Sequence, residues 1–318
     1  MRRYLLALLT LFSLSAAAEQ PWTPFPLDQA AFDYPGDALR QAWPQLTRGF
    51  GADYPFPDAD WAMAMARRHP DALASAAEAG FKGTPEEAAR YAAQVQEVWR
   101  LVFRGDFAKA RSQGLALGFG GQVPALFAQV TQALFLVEDA EEKHRLLEEV
   151  IAYTDRAGAL IEADNAALFG RVYAKARLGE ELPIALVLKR GYTREIPQEL
   201  DALLARQPRQ PYALALYGGY QAGVIRKVGS LVGGMTYGVS AERMEGYFAQ
   251  AFDAAELPIG HYEYANALSY VYGDDEQAKA LEHLRRAVAI RPISAMEALE
   301  VEHARQLLQQ FQQALASN

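Results

Sequence analysis

The stretch LEHLRRAVAIRP, residues 281–292, decides the fold. Leu281, Leu284 and Val288, with the small Ala287 among them, recur at helical spacing, and Pro292 arrives where a helix has to stop. The arrangement returns elsewhere. Ala280, Leu284, Ala287 and Pro292 of AKALEHLRRAVAIRP correspond in spacing to Ile196, Leu200, Leu203 and Pro208 of IPQELDALLARQPRQP. MEGYFAQAF supplies Met244, Phe248 and Ala251, and its proline, Pro258, comes two residues late. One side chain, a bulky one four positions on and another three after that is what a second helix needs to lie against its predecessor. The stretch is expected to be one of several related helical hairpins.

Working outward, GTPEEAARYAAQVQEVWRLVFRGD shows how such a hairpin begins. Thr84 is a natural N-cap, Pro85 fits the first helical position, and Glu87 completes a capping box. The helix runs to Phe103 and stops at Gly105, and Asp106 starts a second one ending between Gly114 and Gly118. GFGGQ, residues 118–122, follows a helix, so it reads as a helix-to-helix turn and not as a phosphate loop. From Pro124 onward apolar residues and alanine keep the helical period, with breaks expected at Glu138-Asp139, Glu162 to Asp164, Gly179, Gly191, Pro208, Gly233-Gly234, Pro258, Gly273 and Pro292. Period-two alternation and clusters of Val, Ile and Thr are absent, so the class is all-α.

These features resemble the tetratricopeptide repeat family, whose units of about 34 residues pair two helices. Leu214, Tyr217 and Gly218 open one unit, and Ala280, Leu284, Ala287 and Pro292 close another. The Gly273-Asp274 turn comes early and residues 223–240 form a long insertion, so the repeats are degenerate. The resemblance implies α-hairpins in a solenoid or closed helical array with a concave binding surface, and names no ligand. The layout also resembles, more distantly, the accessory T component of tripartite periplasmic (TRAP) transporters, which implies a small organic anion held in a central pore near Arg226 and Lys227. Members of that group are often lipid-anchored through a cysteine, and this chain has none.

The N-terminus, MRRYLLALLTLFSLSAAA, has two arginines, an apolar run from Leu5 to Leu14 and a small-residue site ending at Ala18. This is the pattern of an export signal over residues 1–18, and it implies a periplasmic protein. The run is shorter than the ~20 residues that span a bilayer, so no membrane anchor is expected. With no cysteine there are no disulfides and no thiol nucleophile. The formal charge of −8, more negative still without Arg2 and Arg3, excludes nucleic acid as a partner. Residues 19–83, with PWTPFPLDQAAFDYP and FGADYPFPD, form a proline- and aromatic-rich segment with short helices that packs on the repeats, which occupy residues 84–318.

Chemistry is sought in LYGGYQAGVIRKVGSLVGGMTYG, residues 216–238. Gly219 and Gly223, then Gly229 and Gly233, lie four apart, which puts each pair on one helix face. Each glycine costs close to ~1 kcal/mol relative to alanine in a helix, and close packing of a neighbouring helix is the first compensation expected, a ligand on the bare face the second. Arg226 and Lys227 are the charges of this run; they reach solvent, pair with Glu263, or hold a ligand's anionic group. In the last case Tyr217, Tyr220, Tyr237, Tyr262 and Tyr264 wall the site and Asn266 adds a polar contact. Two Glu-x-x-His pairs, Glu141 with His144 and Glu300 with His303, have the spacing of di-iron helix bundles, although both lie in glutamate-rich surroundings that produce such spacings by chance. His69, His261 and His283 show no cluster with them. No nucleophile elbow, Walker loop or dinucleotide fingerprint is present. The expected function is therefore non-catalytic and without a cofactor: a helical-repeat protein that binds a peptide, a protein partner or a small organic ligand. The transporter-like accessory and, more weakly, the metal enzyme are the alternatives.

Overall fold

In the computed structural model, which describes residues 22–316, helix is the dominant structure and no strand occurs among the described residues. The expected export signal, residues 1–18, lies outside them. Three short helices open the chain: α1 (Asp37–Leu46), α2 (Ala59–Arg68) and α3 (Leu73–Ala77). Then come α4 (Pro85–Arg104), α5 (Phe107–Ala116), α6 (Gln122–Phe135), α7 (Ala140–Ala157), α8 (Ala159–Ala163), α9 (Asn165–Glu181), α10 (Ile184–Lys189) and α11 (Tyr192–Arg206). The last six are α12 (Pro211–Val228), α13 (Ser230–Tyr237), α14 (Ala241–Ala254), α15 (Pro258–Tyr272), α16 (Gln277–Ala289) and α17 (Ala295–Ala316). No helix among the described residues is long and apolar enough to cross a membrane.

The start of α4 shows how local chemistry sets these bounds. The Glu87 backbone N–H donates to Thr84 Oγ1, and the Glu87 carboxylate accepts from the backbone N–H groups of Thr84 and Lys82. The Lys82 bond is the larger reason that this carboxyl sits below the usual carboxylate range. At the other end Gly105 takes φ +95°, a left-handed stop that leaves the chain free to turn into α5.

Consecutive helices then divide into two sets. Helices α6, α9, α12, α15 and α17 touch one another in series, and α17 returns to contact α6 and α4. Helices α7, α11, α14 and α16 lie between or outside them. The sequences explain the division. Every residue of α6 from Gln122 to Ala133 is buried, whereas α7 buries a single stripe of Leu146, Leu147, Val150, Ile151 and Thr154. The three-position pattern falls on the outer helices: Ile196, Leu200 and Leu203 on α11, Met244, Phe248 and Ala251 on α14, and Ala280, Leu284 and Ala287 on α16, none more than 3% exposed. Gly218 on α12 receives Phe248, and a Cβ there would lie 2.6 Å from that ring. The position tolerates nothing larger than glycine without moving a buried phenylalanine.

Two expected breaks are not breaks. Gly179 lies inside α9 and Gly233-Gly234 lies inside α13, because a lone glycine costs less than the packing of a whole helix returns. The N-terminal segment joins the main core through aromatic rings. Phe50 packs edge-to-face on Phe127 of α6 (4.7 Å) and Tyr212 of α12 (5.4 Å), and Trp43 packs on Trp99 and Phe103 of α4.

The turn from α5 to α6 is set by backbone contact. A Cβ at Gly121 would meet Gly114 O at 2.2 Å, and one at Gly114 would meet Gly121 O at 2.5 Å. Tyr91 fastens the same turn, its hydroxyl donating to Leu117 O (2.6 Å) and accepting from the Gly120 N–H (3.0 Å). Gly121→Ala should lower stability by about 1–3 kcal/mol through overpacking. Gly246→Ala, in an exposed part of α14 with nothing within 4 Å of the added carbon, should raise it by about 0.5–1 kcal/mol. Thermal melts of the two variants should therefore move in opposite directions.

Candidate binding hollow

The five inner helices leave space between them because large side chains from several meet without filling the middle. The central hollow, a cavity of about 40 Å³ that opens to solvent, is walled mainly by Phe127, Phe169, Tyr173, Tyr212, Leu216 and Ile259. Its basic and acidic contributors are Arg177 of α9, Glu263 of α15 and Glu300 of α17, and Thr131 of α6 adds a hydroxyl. Arg177 and Glu263 also line a second space between α9, α12 and α15, together with Tyr262, Asn266 and Tyr270. Glu180 and Gly219 are shared in turn between this vestibule and a third, apolar crevice of about 50 Å³ between α9, α10, α11, α12 and α13. The three hollows thus adjoin one another in series through shared wall residues.

Arg177 controls the junction. Its guanidinium donates to both Glu180 oxygens (3.1 and 3.0 Å) and lies 3.1 Å from Glu263 Oε1, over the face of Tyr173 at 4.9 Å. Its Nε, buried, has no hydrogen-bond partner. Burial pushes the Glu263 carboxyl up, and the neighbouring Arg177 charge opposes that push. Glu300 is held well above the usual range, first by burial and then by the Glu297 carboxylate, and its Oε2 has no partner. Glu300 thus brings a carboxyl whose ionisation is disfavoured, with one oxygen free of protein partners, to the wall of the hollow.

The crevice shows what the glycine pair does. A Cβ at Gly223 would meet nothing within 4 Å, and one at Gly219 would meet only Glu263 Oε2 at 3.7 Å. At Gly223 no helix is packed on this face, contrary to the first expectation, and the face is bare there; at Gly219 only the Glu263 carboxylate of α15 approaches it. Gly229 and Gly233 do not share a helix face either. Gly229, at φ +81°, ends α12, and Gly233 packs against Val239 in α13.

The sequence-selected residues divide accordingly. Tyr220, Lys227 and Tyr237 line the crevice, while Tyr262, Glu263 and Asn266 line the vestibule. Tyr217 lines none of these hollows: its ring stacks on Tyr247 at 4.3 Å and its hydroxyl donates to Asp201 (3.0 Å). Tyr264 packs among Phe248, Phe252 and His283, on the far side of α15. Of the three readings of Arg226 and Lys227, the pairing with Glu263 is not formed, since Arg177 takes Glu263. Lys227 Nζ donates to the carbonyls of Glu180 (3.1 Å) and Leu182 (3.0 Å), closing the C-terminus of α9. Arg226 is exposed and lies over the Tyr270 ring at 4.2 Å. Both cations are thus engaged outside the depth of the site.

Sequence reading missed Arg177, Tyr173, Tyr270 and the role of Glu300 in the wall. A signal existed in RVYAKARLGEE, where three cations interrupt a helix otherwise buried nearly all round. Two of them stitch α9 to α11: Lys175 Nζ lies 2.9 Å from both Glu195 and Glu199, and Arg171 reaches Glu199 at 3.1 Å. The third is Arg177. The Glu-x-x-His pairs do not converge. His144 pairs with Glu181 (2.8 Å), His303 sits against Phe135, and among the described residues no group of three or more His, Cys, Asp or Glu side chains could hold a metal ion.

A histidine pair was also missed. His261 of α15 and His283 of α16, 22 residues apart, meet Nδ1 to Nδ1 at 2.9 Å beside the ring of Phe252. One ring donates and the other accepts, which requires the accepting ring to be neutral and excludes two imidazolium ions. Burial, then the partner histidine, pulls His283 down to about 4, and burial lowers His261. Glu256, Glu282, Lys279 and Arg286 are the charged groups around the pair.

Comparison with known protein families, with curated proteins and with solved structures finds no match. The histidine pair gives a pH test with a defined sign. Folded-state values below the unfolded ~6.5 mean that the stability is fully present above that pH and falls as pH drops toward 4, because the unfolded chain takes up protons first. The denaturation midpoint should decline over this interval, and His283→Gln should flatten that part of the profile.

Proposed function

We propose that the chain is a non-catalytic, periplasmic protein of tetratricopeptide-like helical hairpins that binds a small, largely apolar ligand in the adjoining hollows. The observation that carries this is the Gly219–Gly223 face of α12, bare at Gly223. A helix gives up propensity at two glycines and then places no protein atom within 4 Å of where the Gly223 side chain would be. Such a cost is offset when something else occupies the face. The walls suit an apolar body, and the polar groups at the junction suit one hydrogen-bonding group.

A small organic anion near Arg226 and Lys227, as the transporter resemblance implies, is less well served. Lys227 is engaged by two carbonyls, Arg226 faces solvent over Tyr270, and the cation inside the site, Arg177, already faces Glu180 and Glu263. The local charge is not positive, so an anion would meet carboxylates as well as the guanidinium. Export is supported by the charged, apolar and small-residue order of residues 1–18.

Native mass spectrometry of the protein purified from its own host should show a bound organic mass. Gly223→Leu adds a side chain into open space on a helix that accepts leucine well, so it should fold with unchanged or higher stability and lose that mass. A bare wild-type polypeptide, or a Leu variant that keeps the same adduct, would sink the small-ligand reading.

A further inference from the structure

Six of the nine large apolar side chains most exposed among the described residues belong to two short helices on either side of the crevice. Leu231, Val232 and Met235 of α13 are 75%, 49% and 82% exposed, and Ile184, Leu186 and Leu188 of α10 are 38%, 41% and 49% exposed. The helices are neighbours, since Ile184 and Val187 line the crevice together with Val228 and Tyr237. Solvent-facing apolar side chains are ordinary when scattered, and a concentration on one site of an otherwise well-covered surface marks an interface.

Charge tells what that interface is. The chain holds 39 acidic residues, yet none lies between Glu181 and Glu195 or between Asp201 and Glu242. Both segments carry cations, and Lys189, Arg190 and Arg226, all exposed, flank the apolar tips. In an acidic protein these two segments are thus apolar and carry only basic charge; Glu148 of α7 pairs with Arg190 (2.6 Å) and Glu180 lies deeper in the crevice, which leaves Lys189 and Arg226 as the cations at the margin of the tips. Glycines bound α13 on both sides, Gly229 at φ +81° and Gly238 at φ +66°, so Leu231, Val232 and Met235 sit on a short separate helix that leaves the inner set. Apolar tips with basic residues at their margin are the chemistry of a helix lying in a lipid interface. We propose that α10 and α13 dock this protein peripherally on an anionic phospholipid bilayer, with Leu231, Val232 and Met235 entering the headgroup boundary.

Docking is independent of the ligand reading, and the two can be tested separately. The protein should co-sediment with vesicles of equimolar phosphatidylcholine and phosphatidylglycerol, much less with phosphatidylcholine alone, and less as salt rises. Leu231→Asp with Met235→Asp, both at exposed positions, should preserve the circular dichroism spectrum and weaken vesicle binding by about tenfold or more. Using the same chain for wild type and variant makes any contribution of residues 1–18 common to both. Lys189→Gln with Arg226→Gln should reduce binding to the anionic vesicles only, and Gly223→Leu should leave it unchanged. Equal sedimentation of wild type and the Asp variant, or none by the wild type, would overturn the proposal. So would a dimer in solution that the Asp pair dissociates, since a second copy would then be the occupant.

Discussion

A guanidinium cannot be taken out of water alone, and the centre of this molecule is arranged around that constraint. Arg177 stands on α9 where the inner helices converge, and its charge is met by Glu180 one turn along and by Glu263 across on α15. Losing either partner would leave a charge uncompensated in a site of low dielectric, a cost well above that of an exposed pair. The ion pair therefore fixes the distance between α9 and α15. The space between those helices, which becomes the vestibule, follows from it.

Around that junction the two sets of helices have different duties. Of the inner helices, α6, α12 and α15 are buried on most sides, rich in small and aromatic residues and poor in charge, whereas α9 carries the buried cations; the outer ones bury one stripe and carry the solvated faces. Ion pairs run mainly from α9 outward: Lys175 and Arg171 bind α11, while His144 and Lys143 of α7 reach Glu181 at its end. With α9 held on both flanks and Lys227 of α12 closing its last carbonyls, the crevice has walls that are fastened to each other rather than merely adjacent.

The fold was legible where local chemistry acts alone. The capping box at Thr84, the stop at Gly105 and the pattern shared by Ile196, Met244 and Ala280 all survive in the structure because each depends on residues within one or two turns. The site was legible in part. The run from Leu216 to Gly238 contains Gly219, Tyr220, Gly223, Lys227 and Tyr237 of the crevice, and its glycine content pointed there. What sequence could not supply was pairing between helices far apart in the chain. Glu263 has three cations within reach of a plausible argument, and only the path of α9 decides that Arg177 is the one. The histidines at 261 and 283 are likewise unremarkable until α15 and α16 lie side by side.

The return of α17 to α4 and α6 has a consequence for the order in which the molecule is made. These helices are separated by about two hundred positions, so their contact closes the longest loop in the inner set and carries a correspondingly large entropic cost before it is repaid. Met296 and Glu300 line the hollow from α17, so that wall is missing from a chain still emerging from the ribosome. The hollow is complete only after α17 has been synthesised and has docked. A chain truncated before Ala295 would retain most of its hairpins and have no enclosed centre.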